Sequence, residues 1–232
     1  MTNLFPEIPY TQTKEEISAT RESFLKSYMD NYLHNHLDFL GIKIVKNPFD
    51  LMIFQEIIHR LRPDNIIETG GGFGGSAFFY ANMMDLLGLP GKVFTTELRV
   101  YDLTPTKHLQ KLWERVVYIE GAMSFEYKSF QTIKKHCAGK NNLVFLDSCH
   151  EKPYVVAEME MYAKMVQPGG YMIIEDTCLS GHPARGKYES DWEGPWEAVD
   201  EFLSKRDDFV IDESCERLLF TCNPRGYLRR IK

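Results

Sequence analysis

The sequence predicts an α/β domain with a mainly parallel sheet and helices on both faces. Short apolar runs with the length of strands alternate with longer amphipathic segments from residue 65 onward. A glycine-rich turn follows the first of these runs, as is typical of a strand-to-helix connection. The chain has 232 residues, of which 44% are hydrophobic and 26% charged, so it can bury the core of one sizeable globular domain.

Composition excludes several classes of function. The formal net charge of −6 gives no basic face for nucleic acid. No apolar run reaches the ~18–20 residues that a membrane helix needs. The N-terminus lacks the basic and apolar regions of a signal peptide. None of the five cysteines forms a C-x-x-C pair, and an odd number of thiols fits a reducing compartment. We therefore expect a cytoplasmic protein that binds neither nucleic acid nor membranes.

Two helices are predicted ahead of the sheet. Thr13 and Glu16 have the spacing of a capping box, and an aromatic-rich helix continues from there to about His34. The second helix starts at Asn47-Pro48, with asparagine as the cap and proline at the first helical position.

The aromatic residues of the first helix predict that this helix covers apolar surface. We expect this helix to pack over the core or to form an interface between subunits, and we expect a homo-oligomer. Residues 1–45 are accordingly predicted to be an N-terminal helical extension, and residues 46–232 the main domain.

The strands are predicted from short apolar runs bounded by polar residues. They are expected at Asn65–Glu68, Lys92–Thr96, Val116–Ile119, Leu143–Leu146, Tyr171–Ile174, Phe209–Asp212 and Arg217–Thr221. The clearest helix between them covers Pro153–Val166, because its apolar residues recur on one face. Ligands of such sheets bind beyond the carboxyl ends of the strands, so the residues that follow each strand are the candidates for function.

The first strand leads into a cofactor-binding candidate. Glu68 ends the strand, and glycines that begin at Gly70 allow a ligand to approach the backbone closely. The match to a dinucleotide fingerprint is weak, because nearly every residue of the turn is glycine. A carboxylate at the position of Glu68 repels a pyrophosphate but suits the ammonium group of a methionine. The alternative is a glycine-rich turn that binds nothing.

The second strand ends at Glu97, which can accept hydrogen bonds from both ribose hydroxyls of an adenosine. This role fits nicotinamide cofactors and S-adenosylmethionine equally well. A surface carboxylate without a ligand is the alternative.

Three carboxylates follow the fourth and fifth strands. Asp147 comes directly after one strand, and Glu175 and Asp176 follow the other. If these strands are neighbours, the three negative charges meet at one edge of the sheet and require a cation between them. Oxygen ligands favour Mg²⁺. The alternative is that two of the three are ordinary carboxylates at helix N-termini.

His150, three residues after Asp147, is the candidate general base. A structural loop histidine is the alternative. His182 is a weaker candidate for substrate contact, and the loop Leu179–Glu193, with Arg185, Lys187 and Trp192, is expected to line the acceptor side. Cys149 has no identifiable base partner and is not expected to act as a nucleophile.

Several stretches resemble the cephalosporin hydroxylase–rhamnosyl O-methyltransferase family, to which the macrolide sugar O-methyltransferases look related. They are Asn47–Glu56, Arg62–Ala77, Leu146–His150, Gly170–Thr177, Gly194–Leu203 and Asn223–Arg230. The resemblance spans roughly residues 45–230, nearly everything except the first helix. It implies a Rossmann-like methyltransferase fold with a seven-stranded sheet.

The resemblance also implies the site residues. It makes S-adenosylmethionine and Mg²⁺ the expected cofactors and places His150 where the macrolide sugar enzymes have their general base. The Mg²⁺ ligands are expected to be Asp147, Glu175 and Asp176. The resemblance implies that Glu68, Gly70 and Glu97 hold S-adenosylmethionine, and we predict that Gly74, Ser76, Ser124 and Asp147 also bind it.

The predicted function is therefore transfer of a methyl group from S-adenosylmethionine to a hydroxyl of a small molecule, with Mg²⁺ as a second cofactor. By family likeness the acceptor is a sugar, a similar polyol or a glycosylated natural product. One alternative is a catechol-type O-methyltransferase, although such enzymes usually pair Asp with Asp-Asn and not with Glu175-Asp176. A second is a non-catalytic cofactor-binding subunit of a larger complex. A nicotinamide-dependent reductase is disfavoured by Glu68.

Overall fold

A seven-stranded sheet forms the centre of the protein in the computed structural model, which describes residues 3–99, 109–121, 123–180 and 192–232. The strands in chain order are β1 (Asp38–Phe39), β2 (Ile42–Lys43), β3 (Asn65–Thr69), β4 (Val93–Glu97), β5 (Val116–Glu120), β6 (Asn142–Leu146), β7 (Tyr171–Ile174), β8 (Phe209–Ile211) and β9 (Tyr227–Arg230). The order across the sheet is β5-β4-β3-β6-β7-β9-β8, and β1 and β2 form a separate antiparallel hairpin. β3 to β7 are parallel to one another, and β8 and β9 are antiparallel to their neighbours. The predicted mainly parallel sheet is confirmed.

Six of the seven predicted strands are present, and the prediction for Arg217–Thr221 is wrong. A 3₁₀ helix (Glu213–Glu216) ends just before this segment, and Leu219 then adopts a left-handed conformation with φ 68°. The Thr221 hydroxyl donates to Asp50 Oδ1 at 2.5 Å, which fastens the segment to another part of the chain. The last strand of the sheet is therefore β9. The small β1–β2 hairpin was not predicted.

The helices begin where local capping chemistry places them. They are α1 (Lys14–Asp30), α2 (Pro48–Leu61), α3 (Gly75–Leu86), α4 (Gln110–Trp113), α5 (Tyr127–Cys137), α6 (Lys152–Tyr162) and α7 (Pro195–Ser204). Thr13 accepts the Glu16 N–H at 3.2 Å, and Glu16 accepts the Thr13 N–H at 2.8 Å, which confirms the capping box. Asn47 Oδ1 accepts the Phe49 N–H at 3.1 Å, which confirms the second cap. α1 ends earlier than predicted, because Tyr32 adopts a left-handed conformation with φ 52°.

Two apolar layers cover the two faces of the sheet, because successive strand residues point to opposite sides. Ile66 of β3 faces a layer that includes α2 and α3, whereas Ile67 faces a layer that includes α5, α6 and α7. The predicted placement of helices on both faces is confirmed. The described residues include no helix long and apolar enough to cross a membrane.

The first helix packs beside the carboxyl ends of the central strands. Leu25 and Met29 of α1 form a small buried cluster with Leu179 and Cys222, which lie after β7 and before β9. The N-terminal helix thus covers part of the edge where the functional candidates lie. Whether it also forms a subunit interface stays a prediction.

Candidate active site

A cavity of about 480 Å³ opens beyond the carboxyl ends of β3, β4, β5 and β6. Its wall includes Gly70 after β3, Glu97 at the end of β4, Ser124 after β5 and Ser148 after β6. We call it the crevice cavity. It lies where open parallel sheets bind their ligands, and it is large enough for a nucleoside.

The crevice cavity contains three of the predicted cofactor-binding residues, namely Gly70, Glu97 and Ser124. Glu68 lies beneath the glycine turn, fully buried, with its Oε2 accepting the Thr95 hydroxyl at 2.7 Å. Gly74 caps α3 with φ 80°, and Ser76 is a buried residue of the first turn of that helix. Asp147 lines a neighbouring cavity instead. The cofactor-binding roles of all seven residues stay predictions.

The glycine turn needs glycine at its first position. Gly70 has φ +75°, and a Cβ there would lie 2.0 Å from the carbonyl oxygen of Asp147. β3 and β6 thus approach so closely at their ends that no side chain fits between them.

Backbone N–H groups hold the Glu97 carboxylate in place. Gly72 N–H donates to Glu97 Oε2 at 2.8 Å, and Arg99 N–H donates to Oε1 at 2.9 Å. The carboxylate is fixed on the wall of the crevice cavity, as a ribose-binding group requires.

Burial shifts the pKa of Glu68, which lies under the glycine turn. Removal from water raises the pKa of Glu68 to about 7, while the Lys46 ammonium and the hydroxyls of Ser76 and Thr95 act in the opposite direction. These partners keep the pKa of Glu68 from rising further.

A second cavity of about 230 Å³ lies beside the first, and we call it the acidic cavity. Asp147, His150, Glu175 and Asp176 line it, so the structure brings together all four residues predicted for metal binding and proton transfer. One side-chain ligand atom from each of Asp147, His150 and Asp176 lies within 4.8 Å of the other two. His150 Nε2 is 3.5 Å from Asp176 Oδ2.

A buried lysine that was not predicted from the sequence lies within this cluster. The Lys46 ammonium binds Asp147 Oδ2 and lies 2.9 Å from Glu175 Oε2, with 5% of its side chain exposed. Burial acts to lower the pKa of Lys46, but the two carboxylates raise it well above its usual value. In the sequence Lys46 lies between β2 and α2, ahead of every strand of the main sheet, so no local pattern identified it.

One ammonium leaves most of the negative charge of three carboxylates unbalanced. Burial raises the pKa of Asp147 and of Glu175, and Lys46 opposes this shift in both. Glu175 Oε1 is buried and has no hydrogen-bond partner among the described residues. An orphaned carboxylate oxygen beside two further carboxylates fits a divalent cation with oxygen ligands.

Residues near α1 also reach the acidic cavity. Met29 and His34 line it, although both belong to the segment predicted as an N-terminal extension. Burial lowers the pKa of His34. From the predicted acceptor loop, Leu179 lines the same cavity and Trp192 is 40% exposed. The other candidates of that loop lie outside the described residues: His182, Arg185 and Lys187.

Comparison with known sequences identifies related proteins. The family model for rhamnosyl O-methyltransferase/CmcI matches residues 31–231. A protein of Mycobacterium leprae described as rhamnosyl O-methyltransferase is 32% identical over 213 residues, covering 90% of this chain and 90% of the relative. A protein of Mycobacterium bovis with the same description is 30% identical over 216 residues, covering 91% of this chain and 85% of the relative.

Comparison with solved structures supports the same fold. A CmcI structure described as Mg-SAM has a TM-score of 0.65 and 19% identity, covering 85% of this chain and 78% of that chain. The O-methyltransferase TomG from Streptomyces achromogenes in complex with SAM has a TM-score of 0.51 and 15% identity, covering 95% of this chain and 92% of that chain. The predicted Rossmann-like methyltransferase fold is confirmed.

Proposed function

The chain belongs to the rhamnosyl O-methyltransferase/CmcI family, and we propose that it methylates a hydroxyl of a sugar-like acceptor with the help of a divalent cation. The predicted class of enzyme, an S-adenosylmethionine-dependent O-methyltransferase, is confirmed by this membership. The observation that carries the finer proposal is the convergence of Asp147, His150, Glu175 and Asp176 on a cavity beside the crevice cavity.

The crevice cavity is the proposed binding site for S-adenosylmethionine, which supplies an electrophilic methyl group when bound. Gly70 lets the ligand approach the backbone, and Glu97 presents a carboxylate held by two N–H groups to the ribose. We further propose that Glu68 provides negative charge beneath the methionine end, because it is buried directly under the glycine turn.

The acidic cavity is the proposed cation site. Asp147, Glu175 and Asp176 would hold the cation, whose chemistry when bound is to lower the pKa of a nearby acceptor hydroxyl. The orphaned Oε1 of Glu175 and the unbalanced negative charge of the cluster support this proposal. Lys46 holds Asp147 and Glu175 close to each other by binding both.

His150 is the proposed general base. Its half-buried imidazole lines the acidic cavity, where Nε2 can take a proton from an acceptor hydroxyl. Asp176 Oδ2, at 3.5 Å from Nε2, stabilises the positive charge that the imidazole gains. Catalysis otherwise depends on alignment of the acceptor with the donor, which the two adjoining cavities provide.

The acceptor is proposed to be a sugar hydroxyl. Two curated relatives are described as rhamnosyl O-methyltransferases, and the acidic cavity offers polar groups that suit a polyol.

The test combines binding and turnover. Calorimetry with S-adenosylhomocysteine measures cofactor binding, and a panel of glycosides and catechols with radiolabelled donor measures transfer. We expect binding, transfer to a glycoside, loss of transfer with EDTA and recovery with Mg²⁺. Transfer to catechols alone would favour the catechol-type alternative, and tight binding without transfer to any hydroxyl would favour a non-catalytic subunit. Full activity in EDTA would refute the role of the cation.

A further inference from the structure

A buried glutamate on α6 has no part in the chemistry described so far. Glu158 is 1% exposed and lies on the helix face that also carries Val155, Met159 and Tyr162, all members of the apolar core. A carboxylate at such a position is costly unless hydrogen bonds compensate for the lost water. Burial raises the pKa of Glu158 to about 7, although the hydroxyls that donate hydrogen bonds to its carboxylate act to lower this pKa. An apolar residue would pack there at lower cost, so the carboxylate requires a reason.

The partners of Glu158 come from the ends of three strands. Its Oε1 accepts the hydroxyl of Ser124 after β5 and that of Ser148 after β6, the latter at 2.5 Å. Its Oε2 accepts the Thr69 hydroxyl at the end of β3 at 3.3 Å. Ser124 and Ser148 line the crevice cavity, and Thr69 directly precedes Gly70, which also lines it.

The position of Ser124 is unusual for the order of the strands. β4 and β3 lie between β5 and β6, so the ends of β5 and β6 are about 14 Å apart at three strand spacings. The hydroxyl oxygens of Ser124 and Ser148 are nevertheless 3.3 Å apart. The segment after β5 must therefore cross over the ends of β4 and β3, and in doing so it brings Met123, Ser124 and Phe125 to the wall of the crevice cavity.

α6 holds this crossing segment at three points. Glu158 binds the Ser124 hydroxyl, and the Tyr162 hydroxyl, one helical turn further, donates to the Ser124 carbonyl oxygen at 2.8 Å. Phe125 stacks on Tyr154 at the start of the same helix, with ring centroids 5.3 Å apart. Without the carboxylate, the contacts of this segment with α6 that remain among the described residues are the Tyr162 hydrogen bond and the stacking of Phe125 on Tyr154.

We propose that Glu158 is a positioning residue that closes the cofactor site, by fastening the segment after β5 across the strand ends so that Met123, Ser124 and Phe125 form its wall. The inference rests on the proposed assignment of the crevice cavity to S-adenosylmethionine. Glu158 itself is buried behind the wall and acts through Ser124 and Ser148.

The test replaces the carboxylate with an apolar group of similar shape. Glu158→Met fills a similar space in the apolar core but its thioether is only a weak acceptor, and Glu158→Gln restores one acceptor oxygen. Glu160→Met is the matched control, because Glu160 lies on the same helix with 43% of its side chain exposed and pairs with Arg206 on the surface. Ser124→Ala removes the donor on the other side without altering the core around α6.

Two measurements separate positioning from general stability. In the free protein, amide hydrogen exchange of residues 123–126 should accelerate in Glu158→Met and Ser124→Ala but not in Glu160→Met. The Kd of S-adenosylhomocysteine should rise about tenfold in the first two variants, because the wall residues must then be ordered on binding. Glu158→Gln should stay within about threefold of the wild type. The double variant Glu158→Met/Ser124→Ala should bind no worse than either single variant.

The outcomes are distinguishable. Unchanged exchange together with a Kd within about twofold of the wild type in a folded Glu158→Met protein would overturn the inference. Should that variant fail to fold, the same two results in Ser124→Ala would overturn it. If the wild type does not bind S-adenosylhomocysteine, the proposed function fails, while the exchange rates still report whether Glu158 fastens the segment.

Discussion

Replacement of Lys46 by methionine tests how the acidic cavity is stabilised before any cation enters. The ammonium is buried with 5% of its side chain exposed and is shared by Asp147 and Glu175, the latter at 2.9 Å. Removing one partner of a buried ion pair costs about 3–5 kcal/mol, because the remaining charge stays buried without a partner. We therefore expect Lys46→Met to lower the free energy of unfolding by about that amount in EDTA.

A divalent cation should recover part of this loss. Binding to the folded state at a concentration 100 times the Kd adds about 2.7 kcal/mol. If removal of the ammonium tightens cation binding to the carboxylates, Mg²⁺ should stabilise Lys46→Met more than it stabilises the wild type. Urea unfolding followed by circular dichroism, in EDTA and in saturating Mg²⁺, measures both effects.

A surface lysine provides the control for this experiment. Lys26 pairs with Asp30 at 3.2 Å on α1, with 58% of the lysine side chain exposed. Lys26→Met should cost less than about 1 kcal/mol, because exposed pairs contribute little, and Mg²⁺ should stabilise it by the same amount as the wild type, because its acidic cavity is unchanged. If Lys46→Met is as stable as Lys26→Met in EDTA, or if Mg²⁺ stabilises both variants equally, then Lys46 does not neutralise the acidic cavity and the electrostatic argument is refuted.

Three further variants examine the base, the glycine turn and the buried acid. His150→Ala should lower turnover by about 10²- to 10⁴-fold while calorimetry shows near-normal S-adenosylhomocysteine affinity, and full activity would remove His150 from the mechanism. Gly70→Ala places a Cβ 2.0 Å from the Asp147 carbonyl oxygen at φ +75°, so urea unfolding should show a loss above about 2 kcal/mol; an unchanged midpoint would contradict the close approach of β3 and β6. Folding raises the pKa of Glu158 from 4.5 to about 7. The folded protein therefore gains stability from the protonated carboxyl group, fully below pH 4.5, and loses it as the pH rises through about 7. Glu158→Gln should therefore flatten the fall in stability that urea unfolding measures between pH 4.5 and about 7, and an identical pH profile would speak against the shift.

Local chemistry and short-range pattern accounted for much of the fold. The caps at Thr13 and Asn47 depend on neighbouring residues, and both are present. The parallel strands contain short apolar runs, which identified β3 to β7. The run Arg217–Thr221 has a similar composition, but Leu219 adopts a left-handed conformation and Thr221 bonds to Asp50, so tertiary contacts decide its structure. Such contacts join residues far apart in sequence and leave no periodic signal.

Some residues of the candidate site could be predicted from their place after a strand, whereas others reach the site only through tertiary contacts. Asp147, Glu175 and Asp176 could be predicted to converge because they follow adjacent strands, and topology fixes where strand ends meet. Lys46 follows the β1–β2 hairpin and reaches the same cavity from 101 positions away from Asp147 in the chain. Glu158 occupies a core-facing helical position where an apolar residue is the usual choice, so its hydrogen bonds to strand ends could not be inferred from periodicity.

The acidic cavity has one wall that the sheet holds in place and another that it does not. The groups proposed for donor and cation lie at strand ends, where the sheet fixes their positions and leaves little freedom for change. The acidic cavity is bounded on another side by Met29 and His34, which the sheet does not hold. Phe24 of α1 packs on Phe220 at 4.1 Å between ring centroids, so aromatic contacts seat this helix at the site. Met29 therefore reaches the proposed acceptor side from an element outside the sheet, and we expect a substitution there to change the preferred acceptor in the glycoside panel.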